Sequence, residues 1–477
     1  MAANPMERTE HVLEQLYSRL PSVNDLLQAP EMRTHVETHG HDRVVAAIRE
    51  KLLVIRRQIA ADGITKQALD SEISSIANGV SEMLRRGPEY SLKPVINATG
   101  VILHTNLGRA PLSEAAVAHL AEVAGDYCNL EFDLESGERS KRDVHSERLV
   151  LRVLGVPEAE MARWSAAIVN NCAAATFLAL NTLAEKREVV VSRGELVEIG
   201  GGFRIPEILE KSGAILREVG TTNRTRVNDY EQAVNAQTAL LLRVHQSNFS
   251  IEGFVERPLL AELVELAKTL GVPLFEDQGT GLVKGLDEVG VSNQPTLQDS
   301  ISAGVDLVAA SGDKLMGGPQ CGLLVGRTDL ITRIRKNPLL RAFRVDKLTY
   351  AALEGTLTEY LGGTQADIPL MRMLRVPAEE IEKRCNAILA SISSANLTVA
   401  IVPVESVIGG GAAPNARLSS YALAIRHQNI AADELLKKLR RSDPPVIGRI
   451  AEDAVMLDLR TVPSGMDETI ARALEQL

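Results

Sequence analysis

Cysteine is scarce in this chain, and the four that occur, Cys128, Cys172, Cys321 and Cys385, stand far apart with no Cys-x-x-Cys pair. That spacing excludes a zinc ribbon and a disulfide framework, and it fits a reducing compartment. No apolar run approaches the roughly 20 residues of a bilayer-spanning helix, and no secretory leader opens the sequence. The expectation is a soluble, cytoplasmic protein. Positive charge is not in excess either: the formal net charge of −10 argues against non-specific coating of nucleic acid, while leaving room for local basic patches. Internal repeats, low-complexity tracts and the glycine-rich Gly-x-Gly-x-x-Gly and Walker phosphate loops are all missing.

What is present is length and pattern. A chain of 477 residues buries a large core and predicts two or three domains. Residues 1–88 have a helical period and mix both charge signs, as in Asp42 to Ala61. The stretch Leu92 to Asn97 breaks that pattern and opens a second region, 89–363. After Gly362-Gly363, Pro369, Pro377 and Pro403 punctuate a smaller α+β region, 364–477.

Within 89–363, short hydrophobic stretches end at Val169, Val191, Leu216, His245, Asp277, Ser311 and Gly326, and helical patterns such as Leu259 to Leu270 separate them. This alternation predicts an α/β fold with a mostly parallel sheet and helices on both faces. Ligand groups gather at the carboxyl ends of such strands, where His245, Asp277 and Lys314 fall. Lys314 follows a tight turn through Gly312, which is how a Schiff-base lysine is presented: an amine kept from bulk water loses its proton and attacks an aldehyde. On its own it reads more readily as an exposed loop lysine, and the case rests on what surrounds it. Asp277 reads as a partner for a pyridine nitrogen or as a helix N-cap. Asn171, Cys172 and Ala173 open an apolar helix with small residues whose N–H groups suit a phosphate, and Ser311 adds a hydroxyl. Together they outline a site for pyridoxal 5′-phosphate.

Five strings of the sequence, Ile96 to Leu112, Ser192 to Gly201, Val219 to Thr225, Ser311 to Gln320 and Gly409 to Gly411, resemble in their order the bacterial selenocysteine synthases, the L-seryl-tRNA(Sec) selenium transferases. The resemblance covers nearly the full length. It implies a fold-type I pyridoxal-phosphate transferase in three parts: a helical N-terminal tRNA-binding domain, a catalytic domain and a small C-terminal domain, assembled as a ring of dimers. One departure is Cys172, where the family usually carries a third asparagine.

By resemblance, Lys314 carries the cofactor and Asp277 holds its ring nitrogen, with Asp313, His245 and Asn248 as further candidates for ring contacts or proton handling. Arg109, Arg142, Arg341 and Arg344 fall where the family collects the selenium donor, selenophosphate, and guanidinium forks suit such an oxyanion. Arg341 and Arg344 share a face if that segment is helical. The implied reaction converts seryl-tRNA(Sec) to selenocysteinyl-tRNA(Sec) through a cofactor aldimine and an aminoacrylate. Candidate RNA-phosphate contacts are Arg33, Arg43, Arg56, Arg57, Lys66, Arg85 and Arg86. Two other readings compete. One is a related lyase acting on a small amino acid or amino sugar acid without RNA, for which Arg417 would hold a free carboxylate. The other is a non-catalytic RNA-binding scaffold.

Overall fold

The computed structural model describes residues 15–60, 65–86, 90–200, 202–292 and 294–477, so the boundary expected at residue 88 lies outside the described residues. The chain forms two compact units, Met1–Pro94 and Val95–Leu477. In the first, helices cover Val23–Leu27, Pro30–His39, His41–Ala60, Lys66–Ser74 and Ile76–Arg86. Their starts follow local chemistry: Ser22 and Asp25 form a reciprocal cap, Pro30 opens the next helix, and Thr65 accepts from the Ala68 amide. The long helix buries Val44, Ala47, Ile48, Leu52, Ile55 and Ile59. These recur three or four residues apart and form one stripe against Met32, Leu69, Ile76, Val80 and Leu84. Arg33, Arg43, Arg56, Arg57 and Lys66 stay exposed; the side chains of Arg85 and Arg86 lie outside the described residues.

The second unit is built on a seven-stranded sheet. Its strands are β1 (Trp164–Val169), β2 (Glu188–Ser192), β3 (Ile215–Val219), β4 (Thr238–Val244), β5 (Leu274–Gly279), β6 (Leu307–Ser311) and β7 (Gly322–Arg327). The spatial order is β1-β7-β6-β5-β4-β2-β3. Only β7 runs against its neighbours; the β6-β5, β5-β4, β4-β2 and β2-β3 pairs are parallel. The central strands are buried on both faces, which explains why they read as continuous apolar runs rather than alternating ones. One apolar cluster lies on each face, around Leu241, Val308 and Leu323 and around Ala167, Leu242 and Leu324.

A second sheet takes the order Arg449–Ala451, Ala454–Asp458, Arg417–His427, Leu397–Gly409, Val101–Leu103. Its last strand comes from ahead of the large sheet, so residues 364–477 complete their sheet with Val101–Leu103. The junction is a turn of three glycines with φ of 75°, 62° and 67° at Gly409, Gly410 and Gly411. That conformation costs L side chains dearly, and a Cβ at Gly410 would stand 2.9 Å from the Leu103 side chain. No described helix is long and apolar enough to cross a membrane.

Candidate active site

Strand ends converge on a cavity of about 590 Å³ lined by Thr105, Arg109, Asn171, Cys172, Ala173, His245, Asn248, Asp277, Ser311, Asp313 and Lys314, among others. Adjacent parallel strands put Asp277 and the turn carrying Lys314 side by side, with Ala309 in register with Asp277. The turn is pinned from outside: Gly312 N–H donates to Cys321 O at 2.9 Å and Leu315 N–H to Thr280 O at 2.9 Å. Gly312 has no room for a side chain, since a Cβ there would stand 2.5 Å from Cys321 Sγ. Lys314 is thereby buried. Burial lowers its ammonium pKa, and the Arg109 guanidinium pushes the same way, while nearby carboxylates oppose them.

Asp277 is buried, and burial raises its pKa against the stabilising pull of Thr176 and Lys314. Thr176 Oγ1 donates to its Oδ2 at 3.0 Å, and Cys172 Sγ donates to its Oδ1 at 3.6 Å. Both donors sit on the helix Cys172–Ala184, one turn apart and on one face. Burial holds the Cys172 thiol protonated, with the Asp277 charge adding to the effect. The cysteine side chain is therefore turned to the carboxylate, while a phosphate at this helix would be met by backbone. Asn171 caps the helix, its side chain accepting from Ala174 and its carbonyl from Ala175. The first-turn amides of Cys172 and Ala173 are those left for an anion. β7 passes so close that a Cβ at Gly322 would overlap Asn171 O.

Arg109 takes a left-handed backbone conformation, φ 64°, and its Nη1 donates to Asp313 Oδ2 at 2.7 Å. Asp313 is buried and thus serves first as the anchor of this guanidinium. His245, at the end of β4, donates its backbone N–H to Asp277 O at 3.0 Å. Burial brings its imidazole pKa down to about 4, so it stands neutral near pH 7 and has no imidazolium proton to give. Asn248 lines the cavity and donates to Glu198 O at 2.9 Å.

The other predicted arginines are not brought to this cavity within the chain. Arg142 donates to Glu131 at 2.7 Å and to Val345 O at 2.8 Å, and Arg344 stands 3.6 Å from Glu131. Arg341 is exposed. The helix meant to align the last two covers only Leu340–Phe343, and Arg344 is already extended, bridging to Val169. Arg417 is exposed, its Nη1 donating to Pro414 O and Ala416 O of its own loop and its Nε 4.0 Å from Glu405. Thr176 was not singled out from sequence; its signal is a hydroxyl one helical turn past Cys172 in an otherwise apolar helix. Thr105, Gln320 and Gly410 also line the cavity; each lies in a string that carries the family resemblance, though none was named as a site residue.

Comparison with known proteins identifies the family and the fold. A family model described as L-seryl-tRNA selenium transferase matches residues 95–463, and one described as selenocysteine synthase N terminal matches residues 17–52. An L-seryl-tRNA(Sec) selenium transferase of Aquifex aeolicus is 45% identical over 91% of this chain and 94% of its own length. That of Moorella thermoacetica is 44% identical over 97% of both chains. Among solved structures, D-glucosaminate-6-phosphate ammonia-lyase superposes with a TM-score of 0.55 at 22% identity, covering 81% of this chain and 95% of its own. The shared architecture is fold-type I.

Proposed function

The chain belongs to the L-seryl-tRNA(Sec) selenium transferase family, and from that premise we propose how its residues convert seryl-tRNA(Sec) to selenocysteinyl-tRNA(Sec) in the cytoplasm, with pyridoxal 5′-phosphate as cofactor and selenophosphate as donor. The observation that carries the reading is the shared cavity: a buried lysine and a buried, doubly hydrogen-bonded carboxylate face one space, with a helix N-terminus at its edge. Pyridoxal phosphate fits this donor set, because it needs an amine, an anion opposite the ring nitrogen and N–H groups for its phosphate. When bound, it supplies an aldehyde for amine exchange and a protonated ring that draws electrons from the substrate α-carbon.

Asp277, held in place by Thr176 and Cys172, would pair with the ring nitrogen. Lys314 Nζ is the resident amine. With the cofactor bound, Lys314 would yield its place to the serine α-amine, stay within the cavity and take the proton from the α-carbon as a neutral amine, the form its lowered pKa favours. The serine β-hydroxyl leaves with a proton as water, the selenium of selenophosphate bonds to the β-carbon as the α-carbon regains a proton, and water then cleaves the Se–P bond to release orthophosphate. Arg109, fixed by Asp313, presents a permanent charge to the anionic donor at the cavity wall. Arg142, Arg341 and Arg344 belong to the donor site in this proposal only if a second copy of the chain brings them to it. The proposal assigns residues 1–88 to reading the tRNA, 89–363 to the chemistry and 364–477 to the small domain. The test is direct: cofactor-loaded protein receives seryl-tRNA(Sec) and selenophosphate, and the aminoacyl group is released and identified. Selenocysteine is expected; serine alone refutes the assignment.

A further inference from the structure

A second cavity, of about 410 Å³, adjoins the first and is lined by His245, Gln246, Phe249, Arg257, Gln294 and Asn415, among others. The two cavities share His245, and the loops through Asn248 and Gly411 that line the first continue into the second at Phe249 and Pro414. Of its wall residues, Gln246 keeps a buried oxygen, Oε1, without a hydrogen-bond partner among the described residues, while the side chains of His245 and Gln294 face each other within hydrogen-bonding reach. Desolvated polar atoms of this kind ordinarily have a partner, from protein, water or ligand. Gln246 is 8% exposed, and its Nε2 donates to Gly194 O at 2.5 Å, which leaves the oxygen as its unused end. Phe249 is half-buried, packing on the apolar cluster behind it while lining the cavity. Arg257 is exposed and lies within the electrostatic reach of Glu195, while Arg224 and Arg226 both engage Glu256.

An aromatic face, an open amide acceptor at Gln246 and an exposed guanidinium are complementary to a base, its exocyclic amine and a phosphate. The size falls in the range of small-ligand sites. We propose that this cavity receives the 3′-terminal adenosine of the aminoacylated tRNA, seating the ribose so that the seryl ester enters the neighbouring cavity at Lys314. The inference rests on the reading above, since a seryl ester at Lys314 requires its nucleoside next door.

The test uses cofactor-loaded, full-length protein and two probes: L-serinamide, and 3′-deoxy-3′-(L-serylamino)adenosine, whose amide link resists hydrolysis. Calorimetric Kd values are compared for the unaltered protein, Phe249→Ala and Phe249→Trp, with cofactor content measured for each. The nucleoside probe is expected to bind at least about tenfold tighter than serinamide, the scale of one base stacked on an aromatic ring. Phe249→Ala should erase that advantage while serinamide binding and cofactor content hold, and Phe249→Trp should restore it. Equal affinity for the two probes, or a loss in Phe249→Ala that is the same for both, overturns the proposal. Conversion of intact seryl-tRNA(Sec) is measured in parallel. If conversion proceeds and the nucleoside confers no advantage, the subsite is wrong and the reaction stands; if conversion fails, the reaction itself is wrong.

Discussion

Replacing Thr176 with valine keeps the side-chain shape and removes one hydroxyl, leaving Asp277 Oδ2 without its 3.0 Å donor. The carboxylate is buried, so water does not take the hydroxyl's place. A hydrogen bond to a charged, desolvated group contributes about 1.5–3 kcal/mol, and its loss raises the Asp277 pKa further in the direction burial already drives it. A carboxylate that charges less readily pairs less well with a pyridinium. Expressed as cofactor affinity, the loss corresponds to about ten- to a hundredfold, at 1.4 kcal/mol per decade. The assay is equilibrium dialysis of pyridoxal phosphate against unloaded protein, with a urea melt to confirm that the fold survives. Cys172→Ala should do less, within about fivefold, because a neutral thiol at 3.6 Å is a weak donor. Unchanged affinity in Thr176→Val, or a larger loss in Cys172→Ala, would refute the view that Thr176 is the main support of this carboxylate.

The remaining expectations concern packing, charge and pH. Gly322→Ala should push the helix start at Asn171 out of place and cost about 1–3 kcal/mol of stability as overpacking does, with cofactor retention falling alongside the urea midpoint. Arg109→Ala should raise the selenophosphate KM at least tenfold while cofactor loading persists, and equal loss of both would mean that the Arg109–Asp313 pair is structural. Burial raises the Glu195 pKa from 4.5 to about 7, against the opposing charge of Arg243. The folded state then holds a proton that the unfolded state has lost, so this contribution is present below pH 4.5 and disappears as pH rises through 7. At 1.4 kcal/mol per pH unit the loss approaches about 3 kcal/mol. Glu195→Gln should therefore gain stability relative to the unaltered protein at pH 8 compared with pH 5, and identical pH slopes in urea unfolding would contradict it.

The sequence made the strand ends legible because their chemistry is local. β5 and β6 are short apolar runs closed by Asp277 and by the Gly312 turn, and Asp277 and Lys314 both line the cavity. His245 and the helix start at Asn171 were visible for the same reason. What escaped was assembled across the fold. Thr176 matters only because its helix lies over β5, and Val101–Leu103 completes a sheet whose other strands begin three hundred residues later. The arginines show the opposite case. Four similar guanidinium groups suit an oxyanion equally well on chemistry, yet only Arg109 lies at this cavity, since Glu131 engages Arg142 and Arg344 elsewhere in the chain.

The central claim is that Lys314 is the reacting amine, and borohydride reduction of the cofactor-loaded protein tests it most directly. After reduction, digestion and mass analysis, the account predicts the pyridoxal mass on one peptide, at Lys314, and no label in Lys314→Ala. A label on any other lysine of the unaltered protein, or none after full loading, would contradict it.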